Sequence, residues 1–307
     1  MARTELFVRS QPGGMFNISN WRDLPNDGFF VDSVSGTNGT GYGQNPDAPV
    51  ATLDYAVGLC TASKGDKIYV APWHAENITT AIGVEVDKAG VVVEGVKIGN
   101  LMPTFTMTAA AGSITVSAAN VTLRNLKLVA NFATGCTTAI TLPATATGCT
   151  LDGIVCRDTT TDKEWLIHVS VAAAVEDLTI KNCSFVGLAG TMSNSILFAG
   201  ATTNTIIEDN FISVDSSDDV IDHLAAASVN LVVRRNVIIN ADTDAAGYCL
   251  RYKSDGTGTA YHNLMAYNKV DAEIGIGAAA WWFQNFATNT IGTSSGVLDP
   301  AAGAAVP

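Results

Sequence analysis

Carboxylates are the side chains with the clearest chemical potential in this sequence, and they gather in three polar loops. Asp158, Asp162 and Glu164 form the first; Asp215, Asp218, Asp219 and Asp222 with His223 the second; Asp242 and Asp244 the third. Two carboxyl groups flanking a glycosidic bond can serve as acid and base or nucleophile. Several hard oxygens in one loop can instead hold Ca²⁺, and a row of solvated acids can simply keep an apolar protein dissolved. The densest run, Asp215 to Asp222, makes Asp218, Asp219, Asp222 and Asp244 the candidates for catalysis. The solvated edge is the reading the sequence favours, and no catalytic residue is assigned. Other chemistry finds less support. His74, His168 and His262 are scattered and accompany no Ser or Cys nucleophile motif. The six cysteines contain no CxxC pair, so no metal is expected, and Cys156 and Cys183 read as small core residues. The Gly-rich loop at 36–47 lacks the GxGxxG spacing and the lysine of a phosphate cradle. No cofactor is expected.

These loops recur because the elements between them recur. A unit of the form apolar–x–x–inward–x–apolar repeats along the chain. Its first column runs Val93, Leu123, Leu151, Ile180, Ile207, Val233 and Met265. Its second runs Val96, Leu126, Ile154, Cys183, Asn210, Asn236 and Asn268, and its third Ile98, Leu128, Cys156, Phe185, Ile212, Ile238 and Val270. A period near 27–30 residues marks a solenoid, whose units bury their apolar faces only by stacking. Short alternating runs mark strands rather than helices. Gly95, Asn125, Gly153, Asn182 and Asp209 sit between the columns, and such residues tolerate the left-handed backbone of a tight bend. An earlier strand in each unit (113–117, 139–143, 165–169, 195–199) makes three strands per coil. Asn210, Asn236 and Asn268 on one inward column predict a stacked amide ladder of structural purpose.

The motifs Ile207-Glu-Asp-Asn-Phe-Ile212 and Val233-Arg-Arg-Asn-Val-Ile238 resemble the recurring Ile-x-x-Asn-x-Ile of the pectate-lyase-like superfamily. So does the opening, where Pro49-Val-Ala-Thr-Leu precedes Gly65-Asp-Lys-Ile-Tyr-Val-Ala-Pro72, with Trp73 where that family has Gly. The resemblance implies an all-β chain, a right-handed single-stranded parallel β-helix of about 8 rungs. It also implies a capping helix near 52–62, for which Thr52 is the N-cap and Leu53, Ala56, Val57 and Cys60 the buried face. The catalytic sets of that superfamily are matched only in fragments, at Asp218-Asp219 and loosely at Arg251-Tyr-Lys253.

The resulting division is an N-terminal docking arm at 1–28, a β-helix at 29–292 and a tail at 293–307. Aromatic residues in the arm (Phe7, Phe16, Trp21) and near the end (Trp281, Trp282) are the expected partner-docking residues. With Lys+Arg 17 against Asp+Glu 29 and a net charge of −12, a nucleic-acid partner is not expected. No apolar run approaches the length of a membrane span, and the first residues lack a signal-type stretch. The pattern of a coiled-strand body with non-repeat ends resembles bacteriophage spikes. That resemblance implies a virion structural protein, a capsid decoration, spike or tail component, made in the host cytoplasm. It also implies a homo-oligomer, a trimer by analogy, that meets capsid or tail proteins. A polysaccharide-degrading enzyme or a module binding a surface glycan is the alternative.

Overall fold

Each described coil of this chain places an apolar residue, in most coils β-branched or leucine, where it has nowhere to go but inward. In the computed structural model those residues stand in one vertical row: Phe29, Ile68, Val93, Leu123, Leu151, Ile180, Ile207, Val233, Ala260 and Trp282 are successive in-register partners. Residues 27–188, 192–223, 225–242, 247–253, 255–267, 274–275, 280–289 and 295–298 are described. Phe7, Phe16, Trp21, Asp244 and Asn268 lie outside them. The fold is a parallel β-helix with three sheets, of ten, eight and ten strands. All pairings between successive coils are parallel, and the interior is a continuous apolar core from Phe29 to Ala280. Such coils bury a face that none of them could bury alone.

The first sheet carries the row just named, from Gly28–Val31 to Ala280–Phe283. The second starts at Val84–Glu85 and includes Trp165–Val171, Ile221–His223 and Leu250–Tyr252. The third starts at Ala75–Ile78 and includes Val155–Asp158, Phe211–Val214, Val237–Asn240, Leu264–Tyr267 and Asn285–Asn289. Between the first and third sheets the backbone turns through left-handed residues at Asn125, Gly153, Asn182, Asp209, Arg235, His262 and Gln284. Gly153 is needed there, since a Cβ would lie 2.6 Å from the Asn125 side-chain oxygen.

Two registers differ from the sequence reading. Val96 and Ile98 are exposed rather than inward. The first of these coils inserts a short 3₁₀ turn, Gly99–Leu101, and Phe105 takes the inward place above Leu128. Near the other end, Met265 pairs with Ile238 in the third sheet, so it belongs to the third column and not the first. The repeat in that coil is Ala260-Tyr-His-Asn263-Leu-Met265. Small Ala260 in the leading position made the wrong frame look better. The last described strand, Ser295–Leu298, runs antiparallel to Asn285–Asn289, within the stretch expected to be a tail.

At the opposite end the helix Leu53–Leu59 lies over the first coils. Thr52 accepts a hydrogen bond from the Tyr55 N–H, and Leu53, Ala56 and Val57 are buried. A further network ties it down. Ser33 N–H donates to His74 Nδ1 (3.0 Å), which leaves the His74 proton on Nε2 to donate to Glu76 Oε2 (3.1 Å). The same carboxylate oxygen accepts the Leu53 N–H (3.0 Å), one of the donors a helix start leaves unpaired.

Candidate functional site

The acidic run 215–222 opens the strand Ile221–His223 of the second sheet, and the fold separates its members. Asp219 is buried, with 1% of its surface exposed. Its carboxylate accepts the Tyr248 N–H (2.7 Å) and pairs with Arg251 Nη1 at 3.4 Å, while its carbonyl accepts from Asn194 Nδ2 (2.7 Å). Burial pushes the Asp219 carboxyl up to about 6, against the lowering pull of the Tyr248 hydrogen bond and the Arg251 charge. Asp218 Oδ1 accepts the Asp219 N–H (2.9 Å) and so caps its own turn. Asp222 faces outward in register with Arg251 on the next strand. Arg251 itself lies over the Tyr248 ring, 5.0 Å from its centre. Asp215 is raised by burial and by the Asp242 carboxylate.

The first acidic loop is equally committed. Asp158 accepts the Leu188 N–H (2.7 Å) and the Trp165 N–H (3.0 Å). Burial raises its carboxyl nonetheless. Glu164 is buried, and Asp162 is on the surface. Among the described residues no three His, Cys, Asp or Glu side chains converge as a metal site would require. The carboxylates are thus spread along the stack and bonded into loop backbone. Of the candidate carboxylates, Asp219 and Asp222 stand beside the cation Arg251, and the buried member of that group, Asp219, cannot touch a large substrate.

His223 is not part of an acidic edge. It points inward, fully packed, with Nε2 2.6 Å from Ser228 Oγ, which in turn meets Thr202 Oγ1 at 3.0 Å. Burial lowers it to about 4. His168 is also interior, 3.0 Å from Ser195 Oγ and stacked on Phe185, and burial with the Arg157 charge lowers it to about 3. Both imidazoles are neutral. All six cysteines are free and buried, and burial pushes Cys60 and Cys183 up to about 12, which leaves them inert.

The amide column is formed by Asn210, Asn236, Asn263 and Asn285. Asn263 holds the place expected for Asn268, as the corrected frame requires. Asn210 Nδ2 donates to Asn236 Oδ1 (2.9 Å), Asn236 Nδ2 to Asn263 Oδ1 (3.0 Å) and Asn263 Nδ2 to Asn285 Oδ1 (2.9 Å). Each Oδ1 also receives a backbone N–H from the coil before it, as Asn236 does from Asn210. These amides are fully occupied and buried.

Outside the core, the first sheet carries a column that alternates in sign: Glu94, Arg124, Asp152, Lys181, Glu208, Arg234. Arg124 meets Asp152 at 3.3 Å and Arg234 meets Glu208 at 2.6 Å. Stacked aromatics continue it at both ends, Phe30 on Tyr69 and Tyr261 on Phe283. Trp281 is outward and half exposed, whereas Trp282 lies under Ala260 in the inward row and packs on the core. Trp282 thus points into the stack rather than outward from it.

The sequence matches no protein-family profile and no curated protein. Solved structures of similar shape exist. A rhamnogalacturonan lyase has a TM-score of 0.59 at 13% identity, covering 78% of this chain and 68% of that one. The pectin methylesterase PemA from Erwinia chrysanthemi has a TM-score of 0.49 at 10% identity, over 91% and 93% of the two chains. A pectate lyase has 0.46 at 10% identity, over 84% and 78%. The likeness is one of fold. This chain shares the overall fold of the rhamnogalacturonan lyase.

Proposed function

We propose that this protein is a non-catalytic β-helical rod of a virus particle, a bacteriophage decoration, spike or tail component that works by attachment. The observation that carries the reading is the state of the candidate carboxylates. Asp219 is sealed from solvent, and Asp158 and Asp218 are used as acceptors by backbone N–H groups. A glycosidase or lyase keeps such groups open to substrate. Exposed aromatic surface at the C-terminal coils, Trp281 with the Tyr261–Phe283 stack, supplies an anchor of the kind that dominates protein interfaces. Immunogold labelling of purified particles is expected to place the protein on them, and Trp281→Ala with Phe283→Ala to reduce its occupancy.

One observation favours a second reading, a polysaccharide-acting enzyme. Asp219, poised near 6, stands beside Arg251 and Asp222, and a carboxyl titrating there suits proton transfer. Incubation with acidic polysaccharides, followed by assay for new reducing ends and unsaturated products, separates the two. Product that disappears in Asp222→Ala and Asp219→Asn would replace the rod reading with the enzyme reading; none is expected.

A further inference from the structure

The three outer faces of the rod differ in chemistry. The first sheet shows the alternating ion column beside a mixed column of Thr, Ile206, Val232 and Trp281, and the second mixes Thr115, Thr141 and Ser170 with Leu197 and the charged Glu85, Asp222 and Arg251. The third sheet is unlike both. Its outward positions form two columns in register. One includes Phe211, Val237, Leu264 and Phe286, and beside it runs another with Val186 and Ile239. Phe211 is 42% exposed, Leu264 49% and Phe286 51%. These are adjacent coils, so the exposed side chains are contiguous rather than scattered, and contiguous apolar surface marks an interface.

Charge says what the partner is. The chain is at −12 overall, so two copies repel wherever their carboxylates meet. Among the described residues, no outward position of the third sheet is acidic. The charged residues at its outward positions are Lys127 and Arg157; Glu76 and Asp158, in the alternate phase of their strands, are bonded to the helix start and to loop N–H groups. This is the one sheet face on which two such acidic chains can approach without opposing carboxylates. The full sheet, ten strands at ~4.8 Å and about four residues each, spans roughly 45 Å by 13 Å; the five strands from Val186 to Phe286 are its apolar half, and the remaining coils supply the rest of the contact. With its corrugation that face is of the order of the ~800 Å² per partner that a stable interface needs.

We propose that a second copy of this chain covers the outer face of the third sheet, so that the protein self-associates side by side through the coils from Val186 to Phe286. The association is independent of whether the rod is catalytic and of what its ends bind.

Sedimentation velocity on the full chain at micromolar concentration tests this. The wild type is expected to sediment as an oligomer. Leu264→Glu, which buries an unpaired acid in the interface, is expected to weaken association by about 100-fold or more. Ser213→Glu, on the neighbouring outward column, is expected to do the same while altering no apolar side chain. Trp281→Glu, on the first sheet at the same end of the rod, is expected to leave the oligomer intact. Far-UV circular dichroism and the melting temperature of each variant identify any that fails to fold, and two separate positions keep the test decisive. A monomeric wild type overturns the proposal, as does an oligomer that survives both third-sheet substitutions or is dispersed only by Trp281→Glu.

Discussion

At the scale of single residues, the amide column shows how a buried polar group becomes structural. Asn236 gives one N–H to the Ile207 carbonyl and the other to Asn263, and its oxygen receives two N–H groups from Asn210. Replacing Asn236 by Ala leaves two donors of Asn210 without their acceptor and takes one donor each from the Ile207 carbonyl and from Asn263 Oδ1, which keeps the residue-236 backbone N–H. Each buried orphan costs ~1–3 kcal/mol, so urea denaturation is expected to show a loss of about 3–5 kcal/mol. A loss below about 1 kcal/mol would show that water substitutes in the column. The buried imidazoles set a pH dependence of definite sign. His168 and His223 are lowered by burial to about 3 and about 4, so each contributes stability present above the unfolded value of 6.5 and lost as pH falls through the folded value. Between those values each makes the unfolded chain bind one extra proton, ~1.4 kcal/mol per pH unit. Asp219, raised to about 6 by burial, acts oppositely, its contribution being lost as pH rises through 6. The two imidazoles weaken the fold as the pH falls from about 6 to 4, and Asp219, with the Asp158 and Asp215 carboxyls that burial also raises, opposes them. His168→Leu is expected to remove about one proton, ~1.4 kcal/mol per pH unit, from the wild-type dependence in that window. A His168→Leu variant whose stability follows pH just as the wild type does between about 6 and 4 would contradict the assignment.

At the scale of elements, the N-terminal helix depends on a neighbour far away in sequence. Glu76 accepts both the Leu53 N–H and the His74 Nε2–H. Glu76→Ala is therefore expected to destabilise the protein by about 2–4 kcal/mol, more than the ~1 kcal/mol for Thr52→Ala, whose cap can be replaced by water. Equal losses, measured by thermal melts of the two variants, would remove the special role of Glu76. The same scale shows what could be read from sequence. Helix, strands and the leading inward column from Val93 to Val233 were legible because burial repeats with period two and because Thr52 is a strong N-cap. Frames failed where the leading residue is small, at Ala260, or where a turn is inserted, at Gly99–Leu101. The left-handed turns at Asn125 and Asn182 announce themselves by residue type; those at Arg235 and Gln284 do not, since the ion pair of Arg235 with Asp209 (2.7–2.8 Å) compensates the strain. The acidic run illustrates a different limit. Spacing suggested an open edge, but whether a loop carboxylate faces solvent or its own backbone depends on where the next coil's N–H groups fall, as Tyr248 shows for Asp219. The apolar outer face did leave a trace: Val237-Ile-Ile and Leu264-Met-Ala are apolar at three consecutive positions, which one-sided burial does not require.

For the whole molecule, the strand Ser295–Leu298 is a small feature with a large consequence. Every coil before it hands an unpaired parallel edge to the next, and nothing in a periodic template says when to stop. Two rods meeting at bare edges could zip into one another without limit, as fibrils do. A strand that reverses direction breaks the grammar of that copying, because its outer edge no longer presents the polarity a further coil would have to match. On the third sheet, then, the parallel repeat is met by a single reversed line, and a further coil could not be copied onto that edge.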